Sequence, residues 1–224
     1  WEEGTGGSIS HMMGDFNTNR STLSLNYAGD SGFFSRFSGF YDYSDNNYEV
    51  DATLPSRLGK VESYKAKRFH DAYEGQGASV DFGYTEQSWA DLFQIGLYTS
   101  EYYKEIQHNV TMSKVYGAAT IERKNYGLNL RYKKQLTDEL SLSVTAGVSE
   151  MKSHFFDIED YSYLWNGDKV TTPGASPGEI ADDCDCTYWR NNEYAIVHLD
   201  WKLAEDHTLD FSTSPTWHSQ SSKN

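Results

Sequence analysis

Apolar and polar residues alternate with a period of two through most recognisable segments of this chain, most regularly between Tyr126 and Val148. Tyr126, Leu128, Leu130 and Tyr132 alternate with Gly127, Asn129, Arg131 and Lys133; after a short polar link, Leu140, Leu142, Val144, Ala146 and Val148 alternate with Ser141, Ser143, Thr145, Gly147 and Ser149. Successive side chains of a strand point to opposite faces, so this stretch predicts a hairpin with one apolar face and one small, polar face.

The same pattern recurs along the chain. Leu23, Leu25 and Tyr27 oppose Thr22, Ser24 and Asn26. Phe33, Phe37, Tyr41 and Tyr43 share a face that Phe34 and Phe40 interrupt. Ala78, Val80, Phe82 and Tyr84 form the next stripe, then Phe93, Ile95 and Leu97. Ala195, Val197, Leu199, Trp201 and Leu203 precede Leu209 and Phe211, and residues 8–13 are a weaker strand candidate. Polar segments at 44–77, 101–124 and 150–192 separate hairpins closed by short links. Residues 219–224 show no aromatic closing pattern, and Trp1-Glu2-Glu3-Gly4 reads as a mature or cut end.

Short and long connections therefore alternate. Transmembrane barrels sort their loops this way, with short periplasmic turns and longer outer loops, whereas a soluble sandwich has no reason to. The predicted fold is all-β, an antiparallel up-and-down transmembrane β-barrel, with residues 1–224 forming part of one barrel domain and no separate soluble domain. Roughly eight to nine strands are expected, each near the ~9–11 residues that a tilted membrane strand needs. With short turns on the periplasmic side, the last strand runs outward, so an even-stranded barrel needs further strands. Unpaired edges are not tolerated in lipid, which points to the early part of a larger barrel. Two alternatives stand beside this: an aromatic-rich soluble β-sandwich that binds carbohydrate, and a complete eight-stranded outer-membrane barrel.

Composition sharpens the picture. The chain has 17 Tyr, 11 Phe and 6 Trp, but only 38% hydrophobic residues and a mean hydropathy of −0.71, which suits strands with one wet face. A net charge of −14 repels a nucleic-acid backbone, so no nucleic-acid partner is expected. No apolar run reaches the ~18 residues of a membrane helix, which leaves strand-built spans untouched.

Short motifs carry a family likeness. Gly14-Asp15-Phe16-Asn17-Thr18-Asn19-Arg20 before an alternating strand resembles the start of the barrel in TonB-dependent outer-membrane receptors. Ser38-Gly39-Phe40-Tyr41-Asp42-Tyr43-Ser44-Asp45-Asn46-Asn47-Tyr48, Arg68-Phe69-His70-Asp71-Ala72-Tyr73, Ala90-Asp91 and Tyr103-Lys104-Glu105-Ile106-Gln107 are similar in the same order, over residues 8–150. The resemblance implies a 22-stranded barrel filled by a plug and import of a scarce nutrient driven through TonB. An iron chelate such as a siderophore or haem ranks first as substrate, with a glycan or peptide next. Implied partners are outer-membrane lipid, the plug and remaining strands of the same protein, TonB through that plug, and a surface lipoprotein. The implied location is the outer membrane of a Gram-negative bacterium. The chain departs from the pattern in showing no plug, no TonB-contacting segment and too few strands.

Candidate chemistry is sparse. Cys184-Asp185-Cys186 lacks the four paired ligands of structural zinc, so a small loop disulfide or simple exposure is expected. His11, His70, His108, His154, His198, His207 and His218 form no metal-ligand pair, and no nucleophile elbow exists. Neither catalysis nor a resident metal or cofactor is expected. Asp45-Asn46-Asn47 lacks the spacing of a calcium loop. Tyr41, Tyr43, Trp89, Tyr98 and Trp201 read as interface girdles; Tyr163, Trp165, Tyr188 and Trp189 suit sugar stacking better. Strand parity assigns Asp42, Tyr102, Lys104, Arg123, Asn125, Arg190 and Asn192 to an upper lumen that contacts substrate. It assigns Arg36, Asp81, Arg131, Lys133, Asp200 and Lys202 to a lower lumen that faces the plug.

Overall fold

The computed structural model describes residues 3–55, 61–171 and 176–223. Trp1 and Glu2 of the expected cut end, and Asn224, lie outside them. Among the described residues fourteen strands follow in chain order: β1 Gly4–Gly14, β2 Thr18–Ala28, β3 Phe33–Ser44, β4 Glu49–Pro55, β5 Val61–Lys67, β6 Tyr73–Gln87, β7 Ala90–Glu105, β8 Thr120–Gln135, β9 Leu140–Asp157, β10 Tyr161–Tyr163, β11 Lys169–Thr171, β12 Cys184–Ala204, β13 His207–Thr213 and β14 Thr216–Lys223.

Ten of them form one antiparallel sheet in the order β1-β2-β3-β6-β7-β8-β9-β12-β13, with β14 also paired to β12. β13 and β14 are two halves of one edge. Val197 opposes Thr213 and Tyr194 opposes Thr216, so the register runs unbroken across Pro215. Proline has no N–H to give the ladder, which interrupts the pairing there without shifting it. The remaining strands pair as two small hairpins, β4-β5 and β10-β11.

Register puts the predicted stripes side by side. Leu25, Phe37, Val80, Leu97, Leu128 and Val148 lie in one row, which Glu193 alone breaks before Trp217 closes it. Phe82, Ile95, Leu130, Ala146 and Ala195 form the next. Aromatic rings border these rows towards the short turns, with centroids of Tyr27–Phe33 at 6.2 Å, Phe33–Tyr84 at 5.3 Å and Trp89–Phe93 at 5.4 Å. No second sheet covers this face among the described residues. The sandwich alternative fails on that point. Among the described residues β1 and β13–β14 are unpaired on their outer sides, so the sheet is not a closed eight-stranded barrel either.

The opposite face explains the aromatic residues that interrupt the alternation. Phe40 lies over Gly77, Tyr98 over Gly127 and Tyr194 over Gly147, each on the neighbouring strand, where an added Cβ would sit only 2.4–2.6 Å from the ring. Small residues here make room for flat-lying rings. Tyr98 is therefore no girdle residue: it shares the polar face, whereas Tyr41, Tyr43 and Trp201 keep the apolar parity.

Strands extend further than their apolar stripes. β7 continues to Glu105, β9 to Asp157 and β12 begins at Cys184, which shortens the second and third loops to 106–119 and 158–183. Residues 219–223 continue the edge strand rather than trailing from it. Beyond the apolar rows the ladder carries polar residues on both faces, so hydrophobic alternation ends before the hydrogen bonding does.

Short connections lie at one end of the sheet. In the turn after β2, Gly32 has φ +79°, and a Cβ there would meet Thr85 O at 2.3 Å. The opposite end carries the long loops and one tight turn, 15–17, where Phe16 and Asn17 are left-handed (φ 60° and 55°).

Candidate functional site

The long loops form a cap with a core of its own. Ala52 and Ala66 of the β4-β5 hairpin pack with Trp165 of the third loop, and Met112 and Val115 of the second loop join them. Cross-strand pairs Glu49–Lys67 and Asp51–Lys65 put opposite charges side by side on the hairpin. Trp165 is only 3% exposed and its ring lies 5.5 Å from that of His108. It is part of the cap core, so a sugar-stacking role for it is overturned.

Buried polar groups tie the loops to the wall. Asp157, fully buried at the end of β9, accepts from the amides of Glu179, Ile180 and Ala181 at 2.6, 2.7 and 2.7 Å. Glu179 in turn accepts from the amides of Gly117, Ala118 and Ala119 at 2.9–3.1 Å. Burial pushes its carboxyl above the ordinary glutamate range, outweighing these three bonds. Gln107 completes the set: its Oε1 accepts from Phe69 and His70 amides, and its Nε2 donates to Tyr116 O. Asp157 and Glu179 carry no sequence signal, because an acceptor for loop amides has no spacing signature; Gln107 stands only at the end of the Tyr103–Gln107 motif.

A second joint surrounds Asp71. Arg68 Nη1 lies 2.7 Å and Lys104 Nζ 2.6 Å from its carboxylate. Arg68 Nη2 also meets His108 Nε2 at 2.7 Å, and its guanidinium lies 4.6 Å from the Tyr48 ring centre. Asn46 Nδ2 donates to Asp71 O at 3.0 Å, so the Asp45-Asn46-Asn47 run is a structural join. A cavity of about 690 Å³ opens beside this joint, lined by Asp45, Lys65, Lys67, Arg68, Glu105 and Trp165 among others.

All thirteen parity-assigned residues fall on the polar face, in two groups. Towards the loops, Tyr102 and Arg123 are direct cross-strand partners with the guanidinium 5.5 Å from the ring centre, and Tyr73 lies 6.0 Å from Tyr102. Arg123 Nε is buried without a hydrogen-bond partner among the described residues. Asp42 is 3.9 Å from Arg20, and Asn125 donates to Ser100 Oγ at 3.3 Å. Asn192 reaches Ser149 Oγ and His218 Nδ1, and Arg190 opposes Gln220 on β14. Lys104 stands apart, committed to Asp71.

In the lower group Arg36 and Asp81 are direct cross-strand partners, and Gln94 donates to Asp81 Oδ1 at 2.9 Å. Arg131 opposes Gln94, and Lys133 opposes Ser143. Asp200 lies 3.0 Å from His198 and accepts from Ser141, with Asp210 directly across; His198, Asp200 and Asp210 thus bring ligand atoms within 4.8 Å. Lys202 opposes Thr208 beside the last turn.

Cys184 and Cys186 form a disulfide and are buried, which removes both the metal and the exposed readings. Pro177 is in the loop before them; Pro173 lies outside the described residues.

No family model and no curated protein matches the chain by sequence. Among solved structures, the fold is similar to that of the siderophore receptor PiuA from Acinetobacter baumannii, with a TM-score of 0.62 and 12% identity over 99% of this chain. The antiparallel up-and-down sheet matches part of that receptor's fold. At this identity the likeness establishes the fold alone, and the chain spans 31% of that receptor's length.

Proposed function

We propose that this chain is a wall segment of an outer-membrane receptor of the TonB-dependent type that imports a scarce nutrient, an iron chelate ahead of a glycan or peptide. The supporting observation is a single open sheet whose apolar face is continuous and uncovered, with tight turns at one end and a locked cap of loops at the other. Exposed side chains such as Leu97, Leu128, Val148 and Trp217 follow one another along this face, and a contiguous exposed apolar patch marks an interaction surface. In lipid the same face is satisfied, and the antiparallel ladder pairs the backbone along the interior strands, leaving the sheet edges to be joined. Those edges would join the remaining strands, and a plug would fill the polar face and pass on energy from TonB.

The upper polar group is the substrate side in this reading. An unpartnered buried guanidinium N–H costs free energy until an acceptor arrives, which suits Arg123 to an anionic or carbonyl-rich ligand. Arg190 extends the cationic surface, with Asp42, Asn125 and Asn192 as polar neighbours, while Lys104 anchors the cap. The lower group, Arg36, Asp81, Arg131, Lys133, Asp200 and Lys202, faces the plug. The wall positions and conducts; no residue of it is assigned to catalysis.

Reconstitution of the full receptor with lipids carrying a quencher at a known chain depth tests the membrane placement. Trp201 and Trp217 should be quenched and Trp165 spared; equal quenching of all three refutes it. Uptake by a receptor bearing Arg123→Ala with Arg190→Ala tests the substrate side, and undiminished uptake would remove it.

A further inference from the structure

We propose that the cleft between Lys124 and Lys152, on the apolar-face side of the wall, docks the phosphorylated headgroup of a membrane lipid. The proposal rests on the membrane reading above. Lys124 on β8 and Lys152 on β9 are direct cross-strand partners. They share the parity of Tyr126, Leu128 and Val148 and stand two rows beyond the Leu128–Val148 pair, towards the loops. Like charges placed directly opposite destabilise a sheet, so each lysine of the pair needs a counter-charge.

Lys124 has one already. Its ammonium lies 3.3 Å from Glu101 and 3.0 Å from Glu122. Lys152 does not: among the described residues no carboxylate pairs with it, and its ammonium lies 6.0 Å from the Trp189 ring centre. That is a notable vacancy of charge in a chain of net charge −14. The two lysines flank a cleft of about 340 Å³ whose other walls are Glu122, Tyr126, His154 and Thr187. His154 is held by Asp185 at 2.6 Å.

A phosphate fits this donor set better than a planar carboxylate. Its tetrahedral oxygens accept from several directions, here from the unpaired Lys152 ammonium and the Thr187 hydroxyl, with Lys124 shared with Glu101 and Glu122, and lysine binds phosphate as a point charge. The site also selects against a free anion. Immediately below it the face turns apolar, where acyl chains would lie against Leu128 and Val148, so the matching ligand carries a charged head on an apolar tail.

The test uses the full receptor in non-ionic detergent, with retained lipid counted by native mass spectrometry. A phosphorylated lipid is compared with the same lipid after phosphate removal. The phosphorylated form should be retained at about tenfold lower concentration. Lys152→Glu should erase that preference, Lys152→Gln should reduce it to a few-fold, and Lys114→Glu, an equal charge change in the second loop, should leave it intact. Should Lys152→Glu fail to fold, Lys152→Gln carries the comparison. Equal retention of both lipids, or a preference that survives both Lys152 variants, overturns the proposal. Displacement by inorganic phosphate at the lipid's own concentration overturns the lipid assignment in favour of a free-anion site. A receptor that stays monomeric and folded in plain buffer would instead sink the membrane reading itself.

Discussion

The wall and the cap are stabilised by different means. In the wall, long antiparallel ladders carry apolar side chains that stay exposed, and the rings on the other face lie over glycines of neighbouring strands. In the cap, short hairpins and irregular loops gather around Trp165 and are held by buried carboxylates and an amide, Asp157, Glu179 and Gln107. The wall's side chains need an outside medium; the cap's need one another. Damage to one region should therefore leave the other standing.

The sharpest break comes from Trp165→Ala. Removing a buried tryptophan from a small core costs about 3–5 kcal/mol, here concentrated where three loops meet. Hydrogen exchange should accelerate in 49–52, 106–119 and 161–171 while β6 to β9 keep their protection. Loss of protection in the wall as well would show that cap and wall form one cooperative unit.

Asp157→Ala probes the seam between them. Three loop amides would lose a charged acceptor, at a cost of about 2–3 kcal/mol, and exchange at Glu179, Ile180 and Ala181 should rise most. Unchanged exchange there would mean that the loop holds its shape without this anchor.

The contrast also explains what the sequence made legible. Period-two alternation located the wall because one face is uniformly apolar: Leu128 and Val148 lie in one row, as their spacing predicts. Parity likewise put Arg123 and Tyr102 on one face without any motif, and the register then makes them neighbours. It failed where both faces turn polar, as in Tyr103–Glu105 and Cys184–Arg190, since the backbone ladder persists there without a hydrophobic signal. It misplaced Tyr98, whose ring depends on Gly127 of another strand. The cap was illegible for a related reason. Asp157 and Glu179 act on loop amides far along the chain, and Trp165 resembles any exposed aromatic until Ala52 and Ala66 arrive beside it.

Within the wall, Gly127→Ala tests the ring-over-glycine packing. The added methyl would stand 2.4 Å from the Tyr98 ring, which must swing away. Overpacking of this kind costs about 1–3 kcal/mol. Pairing it with Tyr98→Ser should recover most of that loss, a coupling that a double-mutant cycle measures directly. Additive losses would mean that ring and glycine do not depend on each other.

The smallest expected effect lies in the cap and concerns pH. Burial holds the Glu179 carboxyl above its ordinary range, so the folded loop binds a proton more readily than the unfolded chain. Stability from this group is then complete below the ordinary glutamate value, about 4.3, and declines as pH rises through the raised one. Protection factors at Gly117, Ala118 and Ala119 should fall across that window, while those of β8 and β9 stay level. In Glu179→Gln the side chain keeps an acceptor oxygen but cannot titrate, so the slope should flatten. A slope that persists in the glutamine variant would assign the pH response to another group. A rise in protection with pH would mean that the three amide bonds to the carboxylate outweigh its burial.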